Sequence, residues 1–183
     1  MTNLVHDIST YNNIDKDILN VVIEIVRWSS NKIEYSESEW IFCLDRVLHH
    51  QMFYNFDYGF LPQTLEWDGD PVDVIMLTTF PTFPGCVIKA RVIWTIETED
   101  QDGPDMKLIC VPITKLDPRR SHIHTTEDLN PHSLEELVLF FKEYKKLEKD
   151  KYDKIKIWWI KSIEQTHELV KQCIKNYQKQ FQK

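Results

Sequence analysis

The chain has 183 residues, 42% of them hydrophobic, and a formal net charge of −7 at pH 7. This length suits one domain over residues 1–183 with a core of its own, and the acidic balance disfavours a nucleic-acid partner, which would need a basic face. No apolar run is long enough to predict a membrane span. The four cysteines show no Cys-x-x-Cys spacing and no secretory signal is recognisable, which predicts reduced cysteines in a cytoplasmic protein.

The amino-terminal third predicts strands and basic side chains. Residues 1–18 are polar and irregular, which indicates a loose lead-in, and an alternating apolar pattern predicts a strand at residues 19–26. Glu24 faces away from the main apolar set of that strand, where a solvated carboxylate is the ordinary alternative to a ligand. Residues 32–43 predict a hairpin, and Arg46 follows its second strand. A guanidinium there is unremarkable on a surface but suits a phosphate ligand.

Three carboxylates, Asp68, Asp70 and Asp73, fall within six residues in the middle of the chain. In an extended segment Asp68 and Asp70 share a face, and Pro71 places the motif at a strand entry or a sheet edge. A buried strand is predicted to follow at residues 72–77. The carboxylates offer the all-oxygen ligation that suits Mg²⁺ or Mn²⁺ rather than Zn²⁺, whereas the ordinary alternative is a solvated turn.

A second acidic cluster lies further along the chain. Residues 86–96 alternate cleanly over a long strand, residues 97–105 predict an acidic loop with Asp100 and Asp105, and residues 107–114 predict another strand. Because each acidic cluster precedes a buried strand, we expect the two clusters to converge on one site.

The carboxy-terminal third predicts two helices. Residues 133–136 have a capping-box pattern that opens a helix running to about Glu148, residues 155–160 predict a strand, and a second helix opens at Ser162. Short strands joined by turns, followed by late helices, predict a mainly β fold, of α+β type, built around a small closed barrel.

Four segments resemble family I soluble inorganic pyrophosphatases. Residues 68–74 resemble the family signature Asp-x-Asp-Pro-hydrophobic-Asp-hydrophobic, and residues 52–60, 100–107 and 144–149 resemble three further family segments in the family order. The similarity is nearly continuous over residues 21–158. It implies an OB-like five-stranded antiparallel barrel with flanking hairpins, and Mg²⁺-dependent hydrolysis of pyrophosphate to two phosphates, with Mn²⁺ as a possible substitute.

The resemblance also assigns roles to individual residues. Asp70 is the implied general base, Asp68, Asp73 and Asp105 together bind metal, and Asp100 and Glu24 complete the metal-binding set. The implied phosphate-binding residues are Lys32, Arg46, Tyr58, Lys107, Tyr144 and Lys145. The residues expected to support these groups are Glu34, Tyr54 and Asp57.

Two other functions remain open from the sequence. One is a phosphohydrolase that acts on nucleotides or longer polyphosphates, and the other is a non-catalytic binding module of the OB type. The resemblance to short, bacterial-type family members implies a homo-oligomer, with a hexamer as the specific expectation. In many relatives the helix that corresponds to residues 133–148 contributes histidines to a contact between trimers, and the equivalent positions here are Leu139 and Glu143.

One departure from the family pattern concerns Asp57. Where relatives commonly read Tyr-Pro-x-Asn-Tyr-Gly, this chain reads Tyr-Asn-Phe-Asp-Tyr-Gly at residues 54–59. If Asp57 faces the site, its charge repels pyrophosphate and favours a divalent ion, so Asp57→Asn would tighten pyrophosphate binding at low Mg²⁺. The alternative is that Asp57 caps a local turn and faces away.

Overall fold

A computed structural model describes residues 2–14, 17–100, 103–148, 156–159 and 162–181. Within these ranges the chain forms nine strands and two α-helices. The strands are β1 (Tyr11–Asn13), β2 (Ile18–Ile25), β3 (Asn31–Ser36), β4 (Ile41–Val47), β5 (Asp57–Phe60), β6 (Asp73–Met76), β7 (Val87–Asp100), β8 (Gly103–Pro112) and β9 (Lys156–Trp159). The helices are α1 (Pro131–Glu143) and α2 (Ile163–Phe181). None of the helices in the described ranges is long and apolar enough to cross a membrane.

Five of the strands close into a barrel. β2, β5, β6, β8 and β7 are neighbours in this order, and β7 also pairs with β2, which closes the sheet on itself. The predicted mainly β class with a five-stranded barrel is therefore confirmed. The prediction was wrong for one pair, because β6 and β8 run parallel, with Asp73 opposite Lys107. The chain leaves β6, returns through β7 and turns again, so that β8 points the same way as β6.

The strand β2 is the central strand of the core. Val21, Val22 and Ile23 are fully buried, because one face packs inside the barrel and the other is covered by the β3–β4 hairpin and the amino-terminal segment. The neighbouring strand β5 approaches β2 very closely at Gly59, where a Cβ atom would lie 1.9 Å from the carbonyl oxygen of Val22. Glycine at this position therefore permits the pairing that places Tyr58 beside the carboxylates of the site.

The long strand β7 does not alternate as predicted. Its register against β8 shifts between Val92 and Trp94, and Ile93 is buried. Ile88, Ala90 and Val92 lie in one core cluster, whereas Ile93 and Ile96 lie in another. A bulge adds one residue to the strand and so reverses the facing of every side chain beyond it. One strand thereby serves both halves of the core.

The predicted acidic loop at residues 97–105 is mostly paired strand. β7 continues to Asp100 and β8 begins at Gly103, with Thr98 opposite Asp105. The hairpin places Asp105 two residues before Lys107 in β8. Asp100 ends β7, and its side chain lies outside the part of the chain that the structure describes.

Two predictions for the amino-terminal third need correction. Residues 2–14 are not a loose lead-in, since Val5 is buried and β1 pairs with β2. The predicted hairpin is confirmed as β3 and β4, but Arg46 lies within β4 rather than after it. Its cross-strand neighbour is Lys32, so the hairpin presents two cationic side chains together.

The two helices pack on the barrel. The helix α1 begins two residues earlier than predicted, at Pro131, because Asn130 accepts a hydrogen bond from the backbone N–H of His132 at 2.9 Å. It ends at Glu143, so that Tyr144 and Lys145 lie just beyond its last turn. The helix α2 buries Val170, Cys173 and Tyr177. The predicted strand before α2 is confirmed for residues 156–159, while residues 155 and 160 lie outside the described ranges.

Candidate active site

A cavity of about 360 Å³ lies where the barrel, the β3–β4 hairpin and the segment after α1 meet. Of the residues that the sequence analysis assigned to the site and whose side chains the structure describes, it gathers all but Asp57. The assigned residues that line it are Glu24, Lys32, Glu34, Arg46, Tyr54, Tyr58, Asp68, Asp70, Asp73, Asp105, Lys107, Tyr144 and Lys145. The two acidic clusters therefore converge on one cavity, as the sequence predicted.

Lys107 lies between one carboxylate of each acidic cluster. Its Nζ is 2.7 Å from Asp73 and 2.6 Å from Asp105, and the side chain is 3% exposed. The hydroxyl of Tyr58 donates to the same oxygen of Asp73. Burial acts to lower the pKa of Lys107, but Asp73 and Asp105 outweigh it and raise that pKa. The parallel register of β6 and β8 thus holds a permanent cation at the floor of the cavity.

The hairpin supplies a second pair of cations. Lys32 contacts Glu34 and lies 3.3 Å from Asp45. Arg46 contacts Asp45 and donates from Nε to Glu148 at 3.0 Å. The sequence analysis missed Asp45 and Glu148, because no motif marks them and Glu148 lies 102 residues from Arg46 in the chain. These carboxylates hold the two cations in place at the wall of the cavity.

The turn before β6 presents Asp68 and Asp70 at the surface. Gly69 has φ +101, which favours glycine, and the backbone N–H of Asp70 donates to Asp68 at 3.0 Å. Partial burial, together with the charges of Asp68 and Asp73, raises the pKa of Asp70. An exposed carboxylate with a raised pKa is suited to accept a proton from water.

Aromatic side chains form the remaining wall. Tyr54 is buried and packs on Phe140 of α1, with ring centroids 4.8 Å apart. Tyr144 stacks on the same ring at 5.1 Å, and the Nζ of Lys145 lies 5.5 Å from the centroid of the Tyr144 ring. The carboxyl end of α1 therefore positions Tyr144 and Lys145 at the cavity. Tyr54 both packs in the core and lines the cavity.

The sequence analysis missed Glu66, which also lines the cavity. Burial, Asp73 and Asp105 raise its pKa to about 9, and its carboxyl group accepts from the backbone N–H of Met106 at 3.4 Å. The signal for it was weak: Glu66 lies two residues before Asp68, but residues 66–70 form a turn in which the backbone N–H of Glu66 donates to the carbonyl oxygen of Asp70 at 2.8 Å, so the alternation of an extended segment does not apply. Glu24 resembles it, since burial and the charges of Asp73 and Glu34 raise its pKa to about 8.

The donor set fits a hard divalent cation. Among the described residues, seven carboxylates and four Lys or Arg side chains border the cavity, so negative charge is in excess. Carboxylate oxygens are the ligands that Mg²⁺ and similar ions prefer. Within the same described ranges, no three acidic, Cys or His side chains already form a ligand set, since Lys107 lies between Asp73 and Asp105. The residues therefore fit the ion in chemistry and charge.

The raised pKa values predict a pH dependence of stability in the metal-free protein. Glu24 and Glu66 titrate at about 8 and about 9 when folded, against about 4.5 for an unperturbed Glu, so the folded chain binds more protons. Their contribution is fully present below pH 4.5 and is lost as the pH rises through 8 and 9. We expect the free energy of unfolding in EDTA to fall between pH 6 and 9, by at most about 1.4 kcal/mol per pH unit for each group.

The double variant Glu24→Gln/Glu66→Gln should flatten this dependence of the unfolding free energy on pH. Glu127→Gln, at an exposed position, should leave the slope unchanged, and parallel curves for all three proteins would contradict the assignment.

Asp57 lies outside the cavity, and the interpretation in which it faces the site is wrong. Its carboxylate is fully buried and accepts from the backbone N–H of Arg27 at 2.7 Å and of Thr82 at 3.2 Å. It also accepts from the hydroxyls of Thr82 at 2.8 Å and Thr78 at 3.2 Å. The carboxylate therefore ties the loops after β2 and β6 to the start of β5, as a local cap that faces away from the site.

The comparisons with known proteins agree with this geometry. The family model for inorganic pyrophosphatase matches residues 21–178. An inorganic pyrophosphatase from Synechocystis sp. is 44% identical over 160 residues, which cover 87% of this chain and 92% of that protein. The solved inorganic pyrophosphatase from Helicobacter pylori has a TM-score of 0.86 at 37% identity, covering 93% of this chain and 98% of that one. The one from Thermus thermophilus has a TM-score of 0.86 at 35% identity, covering 97% and 99%. This chain belongs to the inorganic pyrophosphatase family.

Proposed function

We propose that the chain is an enzyme that hydrolyses inorganic pyrophosphate to two phosphates, with Mg²⁺ as its metal cofactor. The observation that carries the proposal is the single cavity in which fixed Lys, Arg and Tyr side chains face a set of carboxylates. Cations bind the phosphate oxygens of a small, highly charged substrate, and carboxylates hold the divalent ions that such a substrate requires. Family membership supports the same reaction.

The cationic side chains bind and orient the substrate. Lys32 and Arg46 project from neighbouring positions on the hairpin, and Lys145, in the segment after α1, lines the same cavity. A planar guanidinium can bind two phosphate oxygens at once, and Tyr144 adds a neutral donor. The charged Nζ of Lys107 lies at the floor of the cavity, where it holds Asp73 and Asp105 in place. Several cationic side chains are thus available to the two phosphoryl groups within one cavity.

Asp70 is the proposed general base. When water attacks one phosphorus atom, the bond from that atom to the bridging oxygen breaks and the leaving phosphate takes the electron pair. The proton of the water passes to the carboxylate of Asp70. Its raised pKa makes it a better proton acceptor than an ordinary Asp. Tyr58 and Lys107 donate their hydrogen bonds to Asp73. Asp70 therefore stays available to accept the proton of the water.

The proposed metal ligands are Asp68, Asp73 and Asp105, with Asp100 and Glu24 as further members of the set. When bound, a divalent ion neutralises charge on the substrate and lowers the pKa of a coordinated water. Glu66 adds one more oxygen donor to the same cavity. Glu34 holds Lys32 beside these ligands.

A substrate panel separates this function from its alternatives. Phosphate release is measured with pyrophosphate, tripolyphosphate and ATP at equal concentrations, with Mg²⁺ in excess over each. We expect release from pyrophosphate to exceed release from the other two. Faster release from ATP or tripolyphosphate would assign the chain to the broader phosphohydrolases. No release from any of them would indicate a non-catalytic binding module.

We also propose that the chain is a homo-oligomer, specifically a hexamer. Leu139 is 54% exposed on the outer face of α1, at the position expected to lie in a contact between subunits. Light scattering at micromolar concentration should give a mass several times the 22.0 kDa of one chain. Leu139→Asp should lower that mass, whereas Leu116→Asp, the same change at an equally exposed leucine outside α1, should not. A monomeric mass for the wild-type chain would contradict the oligomer, and a trimeric mass would contradict the hexamer alone.

The cytoplasm remains the proposed location. Cys43, Cys86, Cys110 and Cys173 are all free thiols, which suits a reducing compartment. Cell fractionation that recovers the protein with an exported fraction would contradict this placement.

A further inference from the structure

A second cavity, of about 300 Å³, shares no lining residue with the first. It lies between the loop after β2, the residues after β6, the segment that follows β8 and the start of α1. Its floor is apolar, with side chains from Phe56, Leu77, Ile123, Leu129, Leu134 and Leu137. Two arginines, Arg27 and Arg120, line it as well.

These two arginines converge on one backbone carbonyl. The Nη1 of Arg27 donates to the carbonyl oxygen of Thr78 at 3.0 Å, and the Nη2 of Arg120 donates to the same oxygen at 3.2 Å. Two guanidinium charges therefore lie close together, and neither can be discharged near neutral pH. Burial and the charge of Arg27 lower the pKa of Arg120, as expected for like charges held together.

Neither guanidinium forms a close ion pair within the described part of the chain. No carboxylate in the described ranges lies within 4.0 Å of either one; Asp117 acts on Arg120 only at longer range, where it opposes the lowering of the Arg120 pKa, and it pairs with the neighbouring Arg119 at 3.8 Å. The Nε atoms of Arg27 and Arg120 are both buried, and neither has a hydrogen-bond partner among the described residues. A buried donor without a partner destabilises the folded chain, and an anion bound against the two guanidiniums would offset that cost.

The surroundings favour an anion of a particular kind. The start of α1 opens on the cavity through Asn130 and Ser133, and the amino end of a helix carries partial positive charge. Two carboxylates, Asp128 and Glu136, also line the cavity. That of Asp128 accepts from the backbone N–H groups of His124 at 2.8 Å and Thr125 at 3.0 Å, and that of Glu136 lies 3.9 Å from His132. Asn55 contributes a buried Oδ1 without a partner in the described ranges, which a hydroxyl group on a ligand could satisfy.

We propose that this second cavity is a binding site for a small phosphate monoester, with the phosphate held between Arg27 and Arg120. A phosphate carries close to two negative charges and matches the planar donor pattern of guanidinium, whereas a carboxylate carries only one charge. The apolar floor receives the organic part of the ester. The site is separate from the cavity that contains Asp70.

Calorimetric titration without divalent metal tests the site. Phenyl phosphate and inorganic phosphate are titrated into the full chain and into the variants Arg27→Gln, Arg120→Gln and Arg119→Gln. We expect Arg27→Gln and Arg120→Gln to weaken phenyl phosphate binding at least tenfold. Arg119→Gln removes the same charge from a side chain that is 65% exposed and outside the cavity, and it should bind as the wild-type chain does. Tighter binding of phenyl phosphate than of inorganic phosphate identifies the monoester as the ligand class, and the reverse order would overturn that assignment.

Crystals of the wild-type chain soaked in tungstate give a measurement that does not depend on any variant. A tungstate peak in the anomalous difference map between the two guanidiniums is the expected result. Equal binding of phenyl phosphate by all four proteins would overturn the proposal. It would equally be overturned if a carboxylate from a second copy of the chain occupied the space between Arg27 and Arg120.

Discussion

Replacing Asp70 by Asn is expected to lower the turnover of pyrophosphate by about 100- to 10,000-fold, the range typical of a lost general base. The affinity for divalent ions should change by no more than about twofold, because Asp68, Asp73 and Asp105 remain. The reason is positional, since Asp70 lies at the exposed edge of the cavity while Asp73 is bonded to Tyr58 and Lys107. Steady-state kinetics gives turnover, and calorimetric titration with Mg²⁺ or Mn²⁺ gives the affinity.

Asp73→Asn is the matched control for this prediction. It removes one carboxylate from the same turn and strand, but it should weaken metal binding at least tenfold as well as lower turnover. It also leaves the buried Lys107 with only Asp105 as a partner, so its stability must be measured in parallel. If Asp70→Asn and Asp73→Asn weaken metal binding equally, Asp70 is a ligand rather than a base.

Replacing Asp57 by Ala is expected to destabilise the fold by roughly 3 to 5 kcal/mol without altering the site. The change removes the acceptor for two backbone N–H groups and two hydroxyls, all of them buried or partly buried. Chemical denaturation measures the loss of stability. Kinetics on the folded fraction should show a Michaelis constant for pyrophosphate within about twofold of the wild-type value.

Asp57→Asn and Glu127→Ala complete the comparison. Asn keeps the size of the side chain but presents an amide to at least one of the donors, so an intermediate loss of stability is expected. Glu127 is exposed, and its replacement by Ala should cost less than about 0.5 kcal/mol. If the Asp57→Ala protein were as stable as the wild type and its activity depended differently on Mg²⁺, Asp57 would belong to the active site.

The grouping of the candidate site residues could be predicted largely from the sequence because the motif residues are local. Asp68 and Asp70 lie in one turn and Asp73 begins the next strand, and their spacing predicts that Asp68 and Asp70 share a face and that a strand follows. The meeting of this turn with Asp105 and Lys107 depends on the parallel register of β6 and β8. The expectation that the two acidic clusters meet came from the buried strand that follows each of them, but the parallel pairing of β6 with β8 was not predicted.

The features that the sequence analysis missed arise from packing between distant segments. The bulge in β7 changes which face of the sheet its later side chains lie on. The alternating sequence pattern does not show where the extra residue is inserted. The pairing of Arg46 with Glu148 and the convergence of Arg27 and Arg120 on Thr78 each join segments far apart in the chain. The role of Asp57 was ambiguous because an acidic residue beside a turn can face the site or cap the turn. The positions of Thr78 and Thr82, whose hydroxyls donate to its carboxylate, decide for the cap.

The central claim is that the cavity around Asp70 hydrolyses pyrophosphate with a divalent metal. The direct measurement is phosphate release from pyrophosphate by the purified wild-type chain, with millimolar Mg²⁺ in one arm and EDTA in the other. We predict steady release of two phosphates per pyrophosphate with Mg²⁺, and release at least 100-fold slower in EDTA. A folded protein that releases no phosphate with Mg²⁺, or releases it equally fast in EDTA, would contradict the account.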